Sequence, residues 1–445
     1  MQLKRRRIGP ALGLFTAELF AAVGAHAQDA PPLPASTAAA SINDDTESDL
    51  GRTRIDTAVL FYQEAGGRVQ ATEPVVSIAV NRSGDILTFK FTSDTLTGAT
   101  PNGATPWKED QAFVKGDTPR GATSTGASDV VTAAPHVLPI DHGFKDQRYA
   151  VDAGYSFLWG PDTRLSLGGA GSWETDYRSY SASLGISHDF NQKNTTAAVG
   201  LNFEYDQSRP FGGTPPPLFP IDGIIPTSAN STKTVASLVA GITQAMTRSW
   251  LAQINYSYGR ANGYQNDPYR LISVVDARTG GPVQYLYESR PRSRDRHSIY
   301  VGNKIALGST VLDLSARAYK DSWGIKSITL QASDRVPVTS WLYVEPLVRY
   351  YHQTAATFFR YYLIGQQNLP DFASSDFRLG KFSAVTVGLK LGVKVGRTNE
   401  FYVRTDYYRQ TGDKHPAGAP GDLAAENLFA GAKAASLMVG YSFVY

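Results

Sequence analysis

The chain has 445 residues, with 43 Lys and Arg against 40 Asp and Glu, and it contains no cysteine. The formal net charge of +3 gives no reason to expect nucleic acid or another strongly charged surface as a partner. Without cysteine there is neither a disulfide framework nor a thiolate metal site, so an exported chain of this length is held together by hydrogen bonds and packing.

The N-terminal residues have the organisation of a secretory signal peptide, predicted over 1–27. Basic residues 4–7 precede an apolar run over 8–23, and Ala25-His26-Ala27 is a small-residue cleavage site. We expect residues 28–50, rich in Pro, Ala and Ser, to be a flexible periplasmic lead-in before a folded region over 51–445. No later apolar run is long enough for a transmembrane helix, so a membrane location would require a β-barrel.

From Gly51 onward the chain repeats segments in which apolar and polar residues alternate, separated by Gly, Pro, Asn and Asp. The alternation is clearest at 381–395, where Val387, Leu389 and Leu391 are interleaved with small or basic residues. In chain order the predicted strands are 51–64, 69–81, 85–95, 146–158, 163–174, 177–190, 195–206, 233–246, 249–260, 293–307, 310–320, 324–335, 338–352, 381–395, 398–411 and the terminal segment. The count of about sixteen is even, as single-chain transmembrane barrels require.

The terminal segment has the pattern of the closing strand of a bacterial outer-membrane barrel. One face would turn apolar and aromatic side chains to lipid, and the final aromatic would lie at the periplasmic girdle. The residues of that face are Leu437, Val439, Tyr441, Phe443 and Tyr445. We expect them to be the signal that the barrel-assembly machinery reads, although an ordinary sandwich strand that happens to be last is the alternative.

The lengths of the connections between strands follow a rule. Counted from the first strand, every even connection is short and every long one is odd. The long connections are 96–145, 207–232, 261–292, 353–377 and 412–433. The sequence therefore predicts an all-β, transmembrane, antiparallel up-and-down barrel with short periplasmic turns and long extracellular loops.

Charged residues on the predicted strands fall on the face opposite the apolar one, so they would line the lumen. The main pore-lining candidates are Lys390, Lys394, Arg148, Asp152, Glu345, Arg349, Arg404 and Asp406. They favour a water-filled passage with fields across it, mildly selective for anions. The alternative is that opposite charges on neighbouring strands pair and stiffen the wall. Lys390 and Lys394 have no acid between them on their face and are the strongest candidates for a basic patch.

Two of the long loops carry unusual sequences. Loop 207–232 is too apolar at 215–220 and 224–226 to be solvated, so we expect it to fold inward or to pack on another chain. Loop 261–292 and the residues after it are rich in arginine, which pairs with phosphate through two hydrogen bonds and could bind an anion or lipopolysaccharide. A self-paired rim is the alternative. These arginines are Arg290, Arg292, Arg294 and Arg296.

Catalysis finds little support in the sequence. The histidines show no spacing with a nucleophile, and no glycine-rich phosphate loop opens a helix. His136, His142 and Asp141 could share a metal ion, but a further convincing ligand is missing. We therefore expect neither an enzyme nor a bound metal or cofactor.

Several stretches resemble a bacterial outer-membrane family catalogued as domain of unknown function 3570. They are 54–62 (RIDTAVLFY), 73–76 (EPVV), 95–104 (TLTGATPNGA), 266–269 (NDPY) and 287–291 (YESRP). The resemblance implies a location in the bacterial outer membrane and assigns no functional residues. It also implies a link to cell-envelope redox systems, because genes of the family often lie near flavin-attaching enzymes and small lipoproteins.

The leading hypothesis from the sequence is thus a porin-like transport barrel in the outer membrane, in contact with outer-membrane lipid and lipopolysaccharide. Two alternatives remain open at this point. The barrel could be a scaffold that houses or exports an envelope redox partner, or it could be an outer-membrane enzyme.

Overall fold

The structure is a computed structural model of the chain. The residues it describes are 51–114, 130–210, 213–222, 228 and 231–445, without the side chains of 114, 130, 131 and 141–144. The predicted signal peptide (1–27) and lead-in (28–50) lie outside the described residues.

Almost all regular structure is β-strand. In chain order the strands are β1 (Thr53–Glu64), β2 (Gln70–Arg82), β3 (Asp85–Pro101), β4 (Gln111–Val114), β5 (Val130–Ala133), β6 (Ile140–Leu158), β7 (Thr163–Trp173), β8 (Tyr177–Phe190), β9 (Thr195–Ser208), β10 (Ser231–Thr247), β11 (Trp250–Gly263), β12 (Leu271–Val275), β13 (Pro282–Tyr287), β14 (Ser293–Leu307), β15 (Thr310–Asp321), β16 (Lys326–Pro337), β17 (Leu342–Gln353), β18 (Leu363–Ile364), β19 (Phe382–Val395), β20 (Asn399–Gly412) and β21 (Lys433–Val444). Two short 3₁₀ helices lie at Phe377–Leu379 and Gly421–Ala425. None of the helices in the described ranges is long and apolar enough to cross a membrane.

Sixteen of the strands form one closed antiparallel barrel. Each pairs with its neighbours along the chain, and the first strand closes the ring against the last, with Arg54 opposite Val444 and Glu64 opposite Ala434. The predicted up-and-down barrel of about sixteen strands is confirmed. The other strands form two small sheets, β13-β12-β18 and β4-β5, which belong to the long connections.

The two faces of the barrel wall have opposite characters, as the alternation predicts. On β1, Phe61 faces outward and is 48% exposed, whereas Leu60 faces the lumen and is 6% exposed. The outward faces of the other barrel strands continue this largely apolar surface, with charged residues such as Lys320 and Arg409 toward the loop end. Such a surface is suited to contact with lipid. On β21 the predicted outward set from Leu437 to Tyr445 does face outward, while Met438 and Ser442 face the lumen.

Connection lengths also follow the predicted rule. The even connections are tight turns such as 308–309 and 396–398, where Gly308 and Gly396 adopt positive φ angles with open space around them. The long connections are all odd and lie at the other end of the barrel.

One boundary prediction is wrong. Strands β3 and β6 continue past the predicted ends at 95 and 146 to Pro101 and Ile140. The sequence TGATPNG reads as a turn, but it stays in register because a bulge at Gly98, with φ +119°, absorbs the irregularity. The longer hairpin projects beyond the barrel rim and carries the first long loop across the opening.

Candidate functional site: a capped polar lumen

The five long loops pack together into one folded layer at the loop end of the barrel, which we call the cap. Each loop contributes to its apolar core: Trp107 from 102–139, Leu218 from 209–230, Val275 from 264–292, Leu363 from 354–381 and Leu423 from 413–432. Val275 and Leu423 are completely buried. The cap is therefore a small structure with its own hydrophobic core rather than a set of separate loops.

The apolar stretch of loop 207–232 packs inward on this core. The backbone N–H of Leu218 donates to the Tyr287 carbonyl (3.1 Å), and the N–H of Tyr287 donates to the Phe219 carbonyl (3.0 Å). The expectation that this stretch folds inward is confirmed for 215–220, whereas 224–226 lies outside the described residues.

A buried network of ion pairs holds the cap loops to one another. Arg290 Nε lies 2.7 Å from Glu288 Oε1, and its Nη2 lies 2.9 Å from Asp376 Oδ2, with all three side chains almost fully buried. Burial, opposed by Arg290, raises the pKa of Glu288 to about 7. Burial also acts to raise the pKa of Asp376, but Arg378, Arg270 and Arg290 outweigh it and hold this pKa well below its usual range.

Two of the four arginines near loop 261–292 that were expected to bind an anion are already engaged by acids of the chain, while the expectation for Arg292 and Arg296 stays a prediction. Arg290 is enclosed in the cap network, and Arg294 lies inside the barrel, where it contacts Asp321 at 2.7 Å and stacks on the Trp323 ring. Because both side chains are engaged by buried acids, the self-paired alternative describes them.

The sequence stretches that resemble the family meet at Arg270. Its Nη1 donates to the Pro101 carbonyl (2.5 Å), and its own carbonyl accepts from the N–H of Glu288 (3.0 Å). Gly103 adopts φ +98° beside it, and a Cβ there would lie 2.2 Å from the Leu271 carbonyl oxygen. Three of the five stretches thus build the cap, and the order of their turn-forming residues follows from this close packing.

The cap is attached to the barrel at points around the ring. Arg68, between β1 and β2, donates to the carbonyl of Ala430 (2.8 Å), and Gln353 of β17 donates to the carbonyl of Arg378 (2.8 Å). On the opposite side the Tyr269 hydroxyl donates to Asp176, between β7 and β8. Since these anchors lie on widely separated strands, the cap spans the outer mouth.

Beneath the cap the lumen wall has two different sectors. In the filled sector, on β1 and β19–β21, nearly all inward residues are buried, because large side chains such as Tyr62, Tyr402 and Met438 cover small neighbours such as Gly440. In the open sector, on β6–β8, the inward residues are mostly Ser, Gly and Ala and are only half-buried. Asp152 of β6 is inward-facing and exposed there. Inward side chains are therefore less tightly packed along β6–β8 than along β1 and β19–β21.

The predicted pore-lining lysines have different surroundings. Lys390 faces the lumen but is 6% exposed, with Nζ 3.3 Å from a Glu400 oxygen and 4.4 Å from the centre of the Tyr402 ring. Lys394 lies exposed at the end of β19, next to a short turn. The expected basic patch is therefore not formed at Lys390, because an acid from the neighbouring strand reaches it.

The remaining candidates also face the lumen, and most are paired. Arg404 contacts Asp406 (2.9 Å) and Glu345 contacts Arg335 (2.9 Å). In the same way, Arg148 forms an ion pair with Asp94, and Arg349 donates to Gln331 Oε1 at 2.8 Å. Opposite charges on neighbouring strands pair at Glu345 and Arg148, as the wall-stiffening alternative expects, whereas Arg404 pairs within its own strand and Arg349 bonds to an uncharged amide. Asp152 remains open to water.

Charge is nonetheless divided across the loop-side half of the lumen. On β2–β9 the inward charged residues are mainly acids: Glu73, Asp94, Asp146, Asp152, Glu204 and Asp206, with Lys90 and Arg148 among them. On β10–β20 they are mainly bases: Lys233, Arg294, Arg296, Arg317, Arg349 and Arg404, with Asp321 and Asp406 among them. Several of these charges are paired, Lys233 with Asp206 at 3.1 Å among them, and what remains is an excess of acids on one side of the lumen and of bases on the other.

Two groups of potential metal ligands lie near the mouth. His136 Nδ1 is 2.6 Å from Glu426 Oε1, and the side chains of Asp141 and His142 lie outside the described residues. Asp146, Glu174 and Asp176 have carboxylate oxygens within 4.8 Å of one another. Burial and then the neighbouring Asp146 raise the pKa of Glu174 to about 8, which favours a proton shared among these acids. This cluster was not predicted, because Asp146 of β6 approaches Glu174 and Asp176 of the β7–β8 connection only in the folded barrel.

The fold and lumen together define a transmembrane up-and-down β-barrel with a polar interior and a folded cap. A family model described as "Protein of unknown function (DUF3570)" matches residues 20–443, so the chain belongs to this family. The resemblance seen in the sequence is confirmed. A comparison with curated proteins finds no match.

Several solved structures are similar to the chain in general outline. A bacterial polysaccharide outer membrane secretin has 8% identity and a TM-score of 0.43, over 89% of this chain and 99% of that one. CdiB from Acinetobacter baumannii has 9% identity and a TM-score of 0.44, over 88% and 60%. The siderophore receptor PirA from Pseudomonas aeruginosa has 11% identity and a TM-score of 0.37, over 81% and 57%. The chain spans less than two thirds of the last two proteins, and no functional inference follows from likeness at this level.

Proposed function

We propose that the protein is a porin-like passage for small polar solutes through the bacterial outer membrane, and that the cap gates its outer mouth. The apolar outward face, the division into short turns and long loops, and the signal-like N-terminus all support this location. Nothing in the proposed mechanism requires an enzyme active site.

The open sector is the observation that carries the proposal. A wall that served only to hold the barrel closed would be filled, as it is around Tyr62 and Tyr402. Along β6–β8 the wall instead presents small residues such as Ser166, Gly168 and Ser183, with a water-exposed Asp152 on the lumen side. Small polar side chains leave room for a solute and hydrogen-bond to it without binding it tightly.

The cap decides when such a passage conducts. Its core joins loops from all around the ring and its buried ion pairs hold loops 264–292 and 354–381 together, so the outer mouth opens only when these contacts separate. The short turns at the other end cannot cover the barrel. Solutes would therefore have access to the lumen from the periplasmic side at all times and from outside only when the cap moves.

Single-channel conductance of the refolded protein in a planar bilayer tests this proposal. We expect the intact protein to be mostly closed and a variant with 209–230 replaced by a short Gly-Ser linker to open frequently, because Leu218 and its neighbours leave the cap core. In that open variant, Ser183→Trp should reduce conductance, whereas Leu184→Trp, which is 52% exposed toward lipid, should not. Silence of both the intact protein and the linker variant would refute the passage.

A second function is favoured by the closed outer end: the barrel could house an envelope redox partner that enters from the periplasm. This candidate predicts no conductance from any variant and binding of a purified partner that Ser183→Trp blocks. The same pair of variants at 183 and 184 therefore distinguishes the two functions.

A further inference from the structure

A row of basic side chains crosses the lipid-facing surface of three neighbouring strands at the loop end. Lys320 of β15 is paired directly with Lys326 of β16 on one side and with His297 of β14 on the other. All three face outward, and both lysines are exposed. Because β15 and β16 join through 322–325, the row lies where the barrel leaves the membrane.

Among the described residues, no acid neutralises this row. In the part of the chain that the structure describes, neither lysine side chain makes an ion pair or a hydrogen bond. The outward acid nearest to it in register, Asp295, accepts from the Tyr258 hydroxyl (2.8 Å) and lies 3.8 Å from Arg260. Like charges directly opposite on adjacent strands destabilise a sheet, so an anion between the two lysines would offset a built-in cost.

An apolar groove begins below the row on the same strands. It has a volume of about 400 Å³ and lies where Ala316 and Ala332 leave a depression between Val301, Leu330 and Tyr350. Ala316 is four residues from Lys320, which places the groove about 13 Å along the tilted strand, or about 10 Å deeper in the membrane. The intervening outward residues are apolar: Ile299, Ala318 and Ile328.

We propose that this surface of β14–β17 binds a membrane lipid with a phosphate-bearing headgroup, with the phosphate between Lys320 and Lys326 and an acyl chain in the groove. Charge at the headgroup level and a depression at the acyl level match the two halves of such a lipid. Lipopolysaccharide has this chemistry in the leaflet where the loops emerge. The inference rests on the membrane location proposed above, but it does not depend on whether the lumen conducts.

The chain contains a matched control for the basic row. Arg409 of β20 and Lys433 of β21 are also directly paired, exposed and outward-facing at the loop end, and neither side chain has an ion pair among the residues described. Below them the outward residues are large, such as Tyr407 and Leu437, and they are not part of the groove. This pair has the same charge without the acyl-chain site.

The test is binding of bisphosphorylated lipid A, and of the same lipid A with its phosphates removed, to the detergent-solubilised protein by native mass spectrometry and titration. We expect the phosphorylated form to bind the wild-type protein about 10- to 30-fold more tightly, since each lysine near an anionic headgroup contributes about 1 kcal/mol. Lys320→Gln with Lys326→Gln should abolish this preference, and Lys320→Arg with Lys326→Arg should keep it.

The control variants decide whether the site is local. Arg409→Gln with Lys433→Gln should leave the preference for phosphorylated lipid A intact. Ala332→Phe should weaken the binding of both forms of lipid A, because the ring fills the groove. If the two double Gln variants lost the preference for phosphorylated lipid A equally, the proposal would be overturned, because the lipid would then be attracted to the charged rim in general. Displacement of the lipid by excess inorganic phosphate, or no effect of Ala332→Phe, would also overturn it. Heat-dependent gel mobility reports that each variant is folded, and conductance, measured separately, tests only the passage.

Discussion

The buried Arg290 gives the sharpest prediction about the cap. Its guanidinium contacts Glu288 at 2.7 Å and Asp376 at 2.9 Å, and its side chain is 2% exposed. Arg290→Ala would leave Glu288 buried without its ion-pair partner, while Asp376 would keep Arg378. Removing one member of a buried ion pair costs about 3–5 kcal/mol, so the free energy of cap opening should fall by this amount.

Amide hydrogen exchange of the refolded protein measures this opening. The N–H groups of Ser289 and Ala373 donate to each other's carbonyls at 2.8 and 2.9 Å and link two cap loops. In Arg290→Ala they should exchange about 150- to 5,000-fold faster, while amides of the barrel strands are unchanged. Arg260→Ala is the control, because its pair with Asp295 spans 3.8 Å at the surface and contributes at most about 1 kcal/mol. If the Ser289 amide of Arg290→Ala exchanged at the wild-type rate, the proposed role of the ion-pair network would be refuted.

Three further predictions concern the cap and the lumen. Because the pKa of Glu288 is raised to about 7 from 4.5, its contribution to cap stability is fully present below pH 4.5 and is lost as pH rises through 7. The free energy of cap opening, measured by hydrogen exchange and corrected for intrinsic exchange rates, should fall by up to about 3 kcal/mol across that pH range. Glu288→Gln should abolish this pH dependence. Gly103→Ala should destabilise the cap by more than about 1 kcal/mol, whereas Gly418→Ala, also at positive φ but with open space around it, should cost less; equal effects in exchange measurements would contradict the packing argument. In bilayers, Ser183→Trp should lower the conductance of the variant with 209–230 replaced by a linker and Leu184→Trp should not, and a reversed order would place the passage elsewhere.

The barrel itself could be predicted from the sequence because its signals are local. A strand in a transmembrane barrel alternates lipid-facing and lumen-facing residues with a period of two, and this pattern was readable even in β19, where Lys390 lies among valines and leucines. The parity of the loop lengths then gave the topology without any knowledge of pairing. The direction of Leu437 and Phe443 toward lipid followed from the same alternation.

Partners across strands could not be predicted in the same way. Lys390 was expected to contribute to a basic patch because its own strand carries no nearby acid, yet Glu400 of β20 lies within 3.3 Å. Such pairing depends on the register between strands, and a sequence pattern fixes which face a residue takes but not which residue stands beside it. The same limit explains why the row formed by Lys320 and Lys326 was not foreseen.

The cap was decided by tertiary structure alone. Its core gathers residues as distant in sequence as Trp107 and Leu428, and its ion pairs join Arg290 to Glu288 and to Asp376. Loops of this kind have no periodicity, so their apolar residues indicate burial without indicating a partner. The sequence by itself therefore determined the wall of the barrel, its strand number and its two faces, because each strand repeats one local rule. Only the folded structure determined that the lumen is filled on one side, open on the other and closed above, because these properties arise where side chains from many strands and loops meet.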